Sequence, residues 1–490
     1  MTDLLKKLHS KSITINLIDD QLDIKAPKGA MTKELLSEIK EHKEALISFI
    51  SEYKSEKGNK IVIPKAASKS NYVLSSSQYR LWLLQQIESD NNAYNMPSVF
   101  SLKGVIDIQN LEKAFLKLIE RHEILRTNII VEKETGIPKQ IITSVENSDF
   151  KLNYVDISRN EDISKSLQSI IEKEVGYNFD LEIDALFKVS LIKKSDDDYI
   201  LVSVMHHIIS DGWSSSVMIA DLFSLYQSIT KGEDTLLEPL SIQYKDFAEW
   251  QQSNLNSDSI NEDKEYWLHQ FKEEVPILDI PTYKLRPSVK TYNGKTIEKR
   301  FDKDVIQGLK KISKDQGATL FMSFLSAVKI LLYKYTNQTD IVTGSPFAGR
   351  EHTELQNQIG FYVNTVGLRS SFKKEDTFKT LLTQVKNTVL EAYQHQNYPF
   401  DELIKNLDLK INRSRNPLFD IVLTVDSQEE TLDKIDIIQD LTMEEIPLDD
   451  TTSKFDLEFA FKEDKKSSDL YLTYNTDIYT EDFIKQSTNH

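Results

Sequence analysis

The sequence contains no cysteine. Disulfides, thiolate nucleophiles and cysteine-ligated zinc or iron–sulfur centres are therefore excluded, and a reducing, cytoplasmic setting is compatible with the chain. Glycine (14) and proline (12) are scarce among 490 residues, which excludes collagen-like and low-complexity architectures. No apolar run approaches the roughly 20 residues that span a bilayer. The start, Met1-Thr2-Asp3-Leu4-Leu5-Lys6-Lys7, leads into no apolar stretch of the secretory kind, so no membrane partner is expected. Basic side chains are in deficit: 60 Lys and Arg against 77 Asp and Glu leave a net charge of −17. Such a surface repels nucleic acid unless a basic patch intervenes, and no such patch is evident.

What is present is enough to bury a sizeable core. Hydrophobic residues make up 39% and aromatics 9% of the chain, and the length suits about three folding units. Charge is unevenly spread. Residues 1–60 carry 11 Lys against 10 acidic side chains, whereas the remaining 430 carry 49 basic against 67 acidic, so the first segment reads as a separate unit. Within it, residues 4–9 suit a short amphipathic helix. Ile13, Ile15 and Leu17 then alternate, and Leu22 and Ile24 follow an Asp19-Asp20-Gln21 turn, which predicts a β-hairpin. Pro27-Lys28-Gly29 breaks it, and Thr32 is placed to cap a helix through Ile50. A polar linker follows, closing at 61–71. Beyond it, Leu111–Arg121, Ser216–Leu225 and Leu320–Leu332 have helical spacing, while Tyr199–Met205 and Asp340–Gly344 read as buried strands. Residues 107–130 and 317–343 share a helix-then-strand rhythm, which suggests two similar α/β lobes.

The strongest chemical signal is Met205-His206-His207-Ile208-Ile209-Ser210-Asp211-Gly212-Trp213-Ser214, where a strand gives way to a loop and then a helix. On an extended backbone neighbouring side chains point to opposite faces, so His206 and His207 are expected to face different surroundings, one a cavity and one the protein. Imidazole suits proton handling near neutrality. Asp211 suits either orienting a histidine or holding the turn through backbone or an arginine. Gly212 is expected to permit a positive φ or a close ligand approach. The plainer alternatives are a structural His-His pair and an Asp211 that serves only as an ion-pair partner. A metal site from His206, His207 and Asp211 is disfavoured by the opposing faces.

The motif resembles that of condensation domains of nonribosomal peptide synthetases, and six further family motifs resemble segments here in order. They are Ser77-Gln78-Tyr79-Arg80-Leu81-Trp82, Arg121-His122-Glu123-Ile124-Leu125-Arg126-Thr127, Tyr244-Lys245-Asp246-Phe247-Ala248-Glu249-Trp250-Gln251, Ile359-Gly360-Phe361-Tyr362-Val363-Asn364-Thr365, His395-Gln396-Asn397-Tyr398-Pro399-Phe400-Asp401 and Arg413-Ser414-Arg415-Asn416-Pro417-Leu418-Phe419. The resemblance implies two α/β lobes like chloramphenicol acetyltransferase subunits, arranged as a pseudo-dimer over 72–240 and 241–490, with a tunnel between them and His207 near its middle. It implies His207 as general base or positioning group, with His206, Asp211 and Gly212 supporting it. Arg350 is the first candidate partner for Asp211 and Arg126 the second. Trp213, Ser214 and Asn364 are candidate tunnel residues. It implies no metal and no cofactor held by the chain itself. Phosphopantetheine arms would come from donor and acceptor carrier proteins. The first motif is similar to that of domains joining an L-configured donor to an L-configured acceptor.

Residues 1–60, through Ala26-Pro27-Lys28-Gly29-Ala30-Met31-Thr32-Lys33-Glu34-Leu35-Leu36, resemble N-terminal docking domains of the tubulysin-synthetase type. That implies a small ββα-type unit whose hairpin (Ile13, Ile15, Leu17, Leu22, Ile24, with Lys25 and Lys28) receives the acidic C-terminal tail of an upstream synthetase. No adenylation or carrier segment follows the last motif, so the chain reads as an excised fragment, expected to be monomeric. The competing functions are a non-catalytic recruitment platform for carrier proteins and a stand-alone acyltransferase using a soluble acyl thioester.

Overall fold

The computed structural model describes residues 62–490 apart from 88–91, 149, 236, 410–411, 428–440, 449–450 and 464–467, and the backbone alone of Ser259, Ser427 and two strands near the N-terminus. The chain divides into two compact units, Met1–Ile63 and Pro64–His490.

In the first unit the alternating apolar segments form antiparallel strands Thr14–Ile18 and Gln21–Lys25. The register sets Ile15 opposite Ile24, Leu17 opposite Leu22 and Thr14 opposite Lys25. Ile13, Lys28 and both helices expected in this segment lie outside the described residues.

The second unit is mixed α/β, built on two large sheets. The first has the order Thr442–Glu445, Asn95–Lys103, Asp198–His206, Phe187–Lys193, Asn153–Asp156, antiparallel except for its last pair. Its middle strand, Asp198–His206, is buried from Tyr199 to His206, which is why its sequence is a continuous apolar run with little alternation. The second sheet has the order Gly294–Arg300, Ser468–Asn475, Leu457–Glu463, Ile421–Ser427, Asp340–Phe347, Asn364–Ser371. A small sheet of Tyr72–Val73, Pro138–Ile142 and Thr127–Val131 completes the set. Thr442–Glu445 comes late in the chain yet pairs with Asn95–Lys103, so the C-terminal half lends a strand to the first sheet. The shared helix-then-strand rhythm also resolves differently in its two copies. The helix Ile108–Arg121 leads into an edge strand of the small sheet, whereas Leu320–Thr336 leads into an inner strand of the six-stranded one.

The helix Leu320–Thr336 is apolar nearly all round because it is buried, with Phe324, Leu325, Val328 and Leu332 in the core. Phe324 stacks on Phe461 at 4.0 Å. Thr319 caps its start and Asn337, at φ 56°, ends it. No single described helix is long and apolar enough to cross a membrane.

A lysine also lies within this core. Lys329 is fully buried, and its Nζ donates to the carbonyls of Ile341 (3.0 Å) and Leu368 (2.8 Å). Two acceptors match the two N–H bonds of a neutral amine, whereas an ammonium has three. Burial pushes its pKa down to about 7. The unfolded chain then holds a proton that the folded chain lacks, from about pH 7 up to the ordinary lysine range, so stability rises with pH across that window. The unfolding free energy of the wild type should therefore gain on that of Lys329→Met by roughly 1.4 kcal/mol per pH unit above neutrality. Denaturant titrations at about pH 7 and 8.5 measure this; a constant difference would show that the amine is charged in the core.

Candidate active site around the paired histidines

The strand Asp198–His206 ends at the first histidine, and the second opens a single 3-10 turn, His207–Ile209. The two rings diverge. His206 is 2% exposed, accepts the Ile208 N–H on Nδ1 at 3.1 Å and meets Phe179 edge-on at 6.0 Å. Its Nε2 has no partner. His207 is half-buried and lies edge-on to Phe361 at 4.6 Å, a residue from the other half of the unit. Its Nδ1 stands 2.8 Å from the Ser210 carbonyl. A carbonyl only accepts, so the Nδ1–H donates and the lone pair of a neutral ring sits on Nε2. Main chain fixes the ring's root as well, since His207 N–H donates to Tyr94 O at 2.8 Å.

Asp211 is fully buried and caps the helix Gly212–Lys231, accepting from Ser214 N–H at 2.8 Å and Ser214 Oγ at 2.7 Å. Arg350 Nη2 lies 2.9 and 3.2 Å from its two oxygens, and Tyr362 N–H donates to Oδ2 at 3.1 Å. Arg350 is itself buried, spends Nη1 on the carbonyls of Leu355 and Gln358, and lies over the Tyr362 ring at 4.3 Å. Gly349 makes that path possible: its φ is +67°, and a Cβ there would sit 2.1 Å from Tyr362 O. The Asp211–Arg350 pair thus ties the turn after the histidines to the segment 350–362.

Other expected residues fall elsewhere. Arg126 reaches the Thr143 carbonyl and Glu123, not Asp211. Gly212 is the first helical residue and does not have a positive φ; a Cβ there would meet nothing within 4 Å. Ser214 is fully buried and spends its hydroxyl on Asp211, Arg350 and Gly360, so it lines no open passage. Asn364 is a clip: Nδ2 donates to Gln396 O and Tyr398 O, and Oδ1 accepts from Phe400 N–H. Trp213 is 43% exposed, and its Nε1 donates to Gln356 O at 2.8 Å.

Several supporting residues stood in the quoted motifs without a role assigned to them. Gln78, fully buried, donates to Ile208 O at 3.1 Å and holds the histidine turn from below. The Tyr244 hydroxyl donates to Phe361 O at 2.8 Å, and its ring fills the space where a Cβ on Gly360 would go. His122 and Arg121 both bind Asp221 at 2.8 Å, and His122 Nδ1 accepts from Ile359 N–H at 3.4 Å. His122 and Arg121 stood in a quoted motif, but Asp221 is one acidic residue on a long helix and nothing nearby singled it out.

Comparison with known proteins decides the family. Residues 68–490 match the family described as the Condensation domain, and residues 1–52 the TubC N-terminal docking domain. The chain is a condensation domain preceded by a docking domain. Its relatives include Bacitracin synthase 3 of Bacillus licheniformis, 38% identical over 429 residues, which is 87% of this chain and 6% of that protein. Tyrocidine synthase 3 of Brevibacillus parabrevis is 36% identical over 447 residues, 91% of this chain and 7% of that protein. The chain thus spans less than a tenth of these relatives. Among solved structures, the X-domain from teicoplanin biosynthesis has a TM-score of 0.79 at 24% identity, covering 87% of this chain and 95% of that one. The first condensation domain of the calcium-dependent antibiotic synthetase, in complex with a substrate analogue, has a TM-score of 0.70 at 16% identity, covering 86% and 95%. At these identities the structural likeness speaks for the fold.

Condensation domains are amide-forming acyltransferases, and the site's electrostatics bear on that chemistry. Burial, then the Lys454 cation, push the His207 pKa down to about 3; in His206 burial, its neighbouring histidine and Lys454 do the same. Both rings are therefore neutral at physiological pH. A neutral His207 with Nδ1–H committed is a fixed hydrogen-bond acceptor at Nε2 and a weak Brønsted base. The rings, with Asp211 already saturated, do not converge on a common point, and no group of three potential metal ligands occurs among the described residues.

Proposed function

We propose that this chain forms an amide bond between two carrier-bound substrates, with His207 holding the attacking amine. An aminoacyl or peptidyl thioester on a donor phosphopantetheine arm meets the amine of an aminoacyl thioester on an acceptor arm. The amine nitrogen attacks the donor carbonyl; the C–N bond forms, the C–S bond breaks, and the proton lost from nitrogen ends on the departing thiolate. The observation that carries this reading is the fixed tautomer of a half-buried ring, whose free Nε2 suits accepting an amine N–H. Orientation alone supplies a large share of the barrier reduction in such reactions. The lowered pKa supports positioning over full proton abstraction. His206, Asp211 and Arg350 are assigned to holding the turn, and the passage is taken to run between lobes 72–240 and 241–490. The first motif supports an L-configured donor and acceptor. The test is a reconstituted assay with loaded donor and acceptor carriers, read by mass spectrometry of both arms. Amide product on the acceptor arm is expected. Carrier binding without product points to a recruitment platform, and turnover with free acyl-coenzyme A to a stand-alone acyltransferase.

Residues 1–60 are assigned to recruitment of an upstream synthetase. The antiparallel hairpin supports strand addition of an extended tail. Deleting 1–60 should reduce transfer from the natural upstream subunit by about tenfold or more, consistent with loss of a tethering contact. It should leave the unfolding midpoint of the remaining unit unchanged. Transfer from that subunit at the full rate would sink the docking assignment.

A further inference from the structure

The first large sheet ends in a strand shorter than its neighbour. Asn153–Asp156 lies at the outer edge and pairs with Ser190–Lys193, although the neighbouring strand begins at Phe187. Among the described residues no strand pairs with Phe187–Val189 on this side. Bonds at the two ends of that strand give the direction of its main chain. His206 N–H donates to Leu186 O on the inner side at 2.9 Å, and Ile157 N–H donates to Lys193 O on the outer side at 3.0 Å. Main-chain groups alternate in direction along a strand, so those of Phe187 and Val189 face outward, as Lys193 O does. A cleft of about 520 Å³ opens here, lined in succession by Phe187, Lys188, Val189 and Ser190. Successive side chains stand on opposite faces, so a cleft that touches all four straddles the edge of the sheet.

The cleft is mostly positive, on a chain whose net charge is −17. Lys151, Lys173 and Lys188 line it against one acidic residue, Glu174, whose Oε1 accepts from Asn153 Nδ2 at 3.4 Å. Lys188 lies over the Tyr177 ring, with Nζ 3.3 Å from the centroid, and Lys151 and Lys173 are exposed. On the opposite face the Phe187 ring stacks on Phe150 at 6.1 Å and supplies an apolar floor. We propose that this edge is a docking site for an extended acidic peptide of a partner protein, which adds to the sheet beyond the end of Asn153–Asp156. Main-chain bonds to Phe187 and Val189 give the affinity. Acidic side chains on one face of the added strand meet the lysines, and apolar ones on the other face meet Phe187. Nucleic acid is opposed by the net charge. Lysines also guard open sheet edges against aggregation, a role that requires no binding and that the experiment separates from docking.

The test uses the full chain and a short, capped, fluorescein-labelled peptide of alternating glutamate and valine, followed by anisotropy. Saturable binding is expected. Lys188→Glu should weaken it by about tenfold or more, and added salt should weaken it too. Two further peptides carry N-methyl groups on the glutamates or on the valines. One of these sets faces the strand and loses its donors, so that peptide should bind about fivefold more weakly or worse, while the other is nearly unchanged. Should Lys188→Glu fail to fold, Lys151→Glu, on an exposed side chain, is read in the same way. No saturable binding would overturn the inference and leave the lysines as guards of the edge. Binding that charge reversal leaves unchanged would also overturn it. So would binding that the two methylated sets alter alike, which is surface attraction alone. Equal binding of the peptide with lysine in place of glutamate, or of a single-stranded oligonucleotide, would do the same.

Discussion

His207→Ala should lower the rate of amide formation by about 10²–10⁴-fold, the range for removal of a positioned acid–base or hydrogen-bonding group, with the unfolding curve almost unmoved. The ring is half-buried and makes one side-chain hydrogen bond, to Ser210 O, so its removal costs little stability. His206 provides the control. It is buried to 2%, and its Nδ1 satisfies the Ile208 N–H. His206→Ala should therefore destabilise the unit by about 1–3 kcal/mol, while the activity of molecules that do fold falls much less. Adjacent residues of the same type would then separate cleanly, one on rate and one on stability. Steady-state kinetics with loaded carriers and urea denaturation of the same samples measure both. An undiminished rate in His207→Ala would end the catalytic assignment.

Arg350→Met should cost about 3–5 kcal/mol, because it leaves the Asp211 carboxylate buried without its cation. The side chain also satisfies Leu355 O, Gln358 O and the Ser214 hydroxyl, so several acceptors lose their donor together. Asp211→Asn in the same background removes the stranded charge and keeps an oxygen to cap the helix. The double variant should regain part of the loss, with a coupling of about 1–3 kcal/mol. Urea midpoints of the wild type, both single variants and the double variant provide the cycle. A loss under about 1 kcal/mol for Arg350→Met would mean that water reaches the pair and that it holds little together.

The two experiments probe one construction. The histidine turn is held from below by Gln78, at its end by Asp211 capping the next helix, and from the other half by Arg350, Tyr244 and Phe361. A reactive ring held to within a fraction of an ångström needs such support. Most of the polar groups near the site are therefore spent on each other.

How far this was legible can be judged residue by residue. The hairpin at 14–25 and the helices after Asp211 and Thr319 follow from alternation, apolar spacing and capping chemistry, all of which act within a few residues. Divergent environments for His206 and His207 follow from strand geometry at the strand's end. Ser214, Asn364 and Gly212 were harder to place. A serine hydroxyl, an amide and a glycine have the same local sequence signature whether they face a ligand, a carboxylate or open space, and only the packed neighbours distinguish these. Arg350 was the first candidate and Arg126 the second, and the fold, by bringing Arg350 back across 139 positions to Asp211, shows the first to be the partner. Lys329 sits in an apolar helical stripe, and its two carbonyl acceptors come from strands that follow it.

By itself, then, the order of amino acids determined the local elements, the absence of thiol chemistry and the motif at 205–214, since those depend on backbone preference and on which functional groups exist. Only tertiary structure decided which nitrogen of His207 is free, which arginine meets Asp211 and which carbonyls receive the buried Lys329. Those depend on side chains far apart in the chain competing for the same buried space, where each polar atom must find a partner.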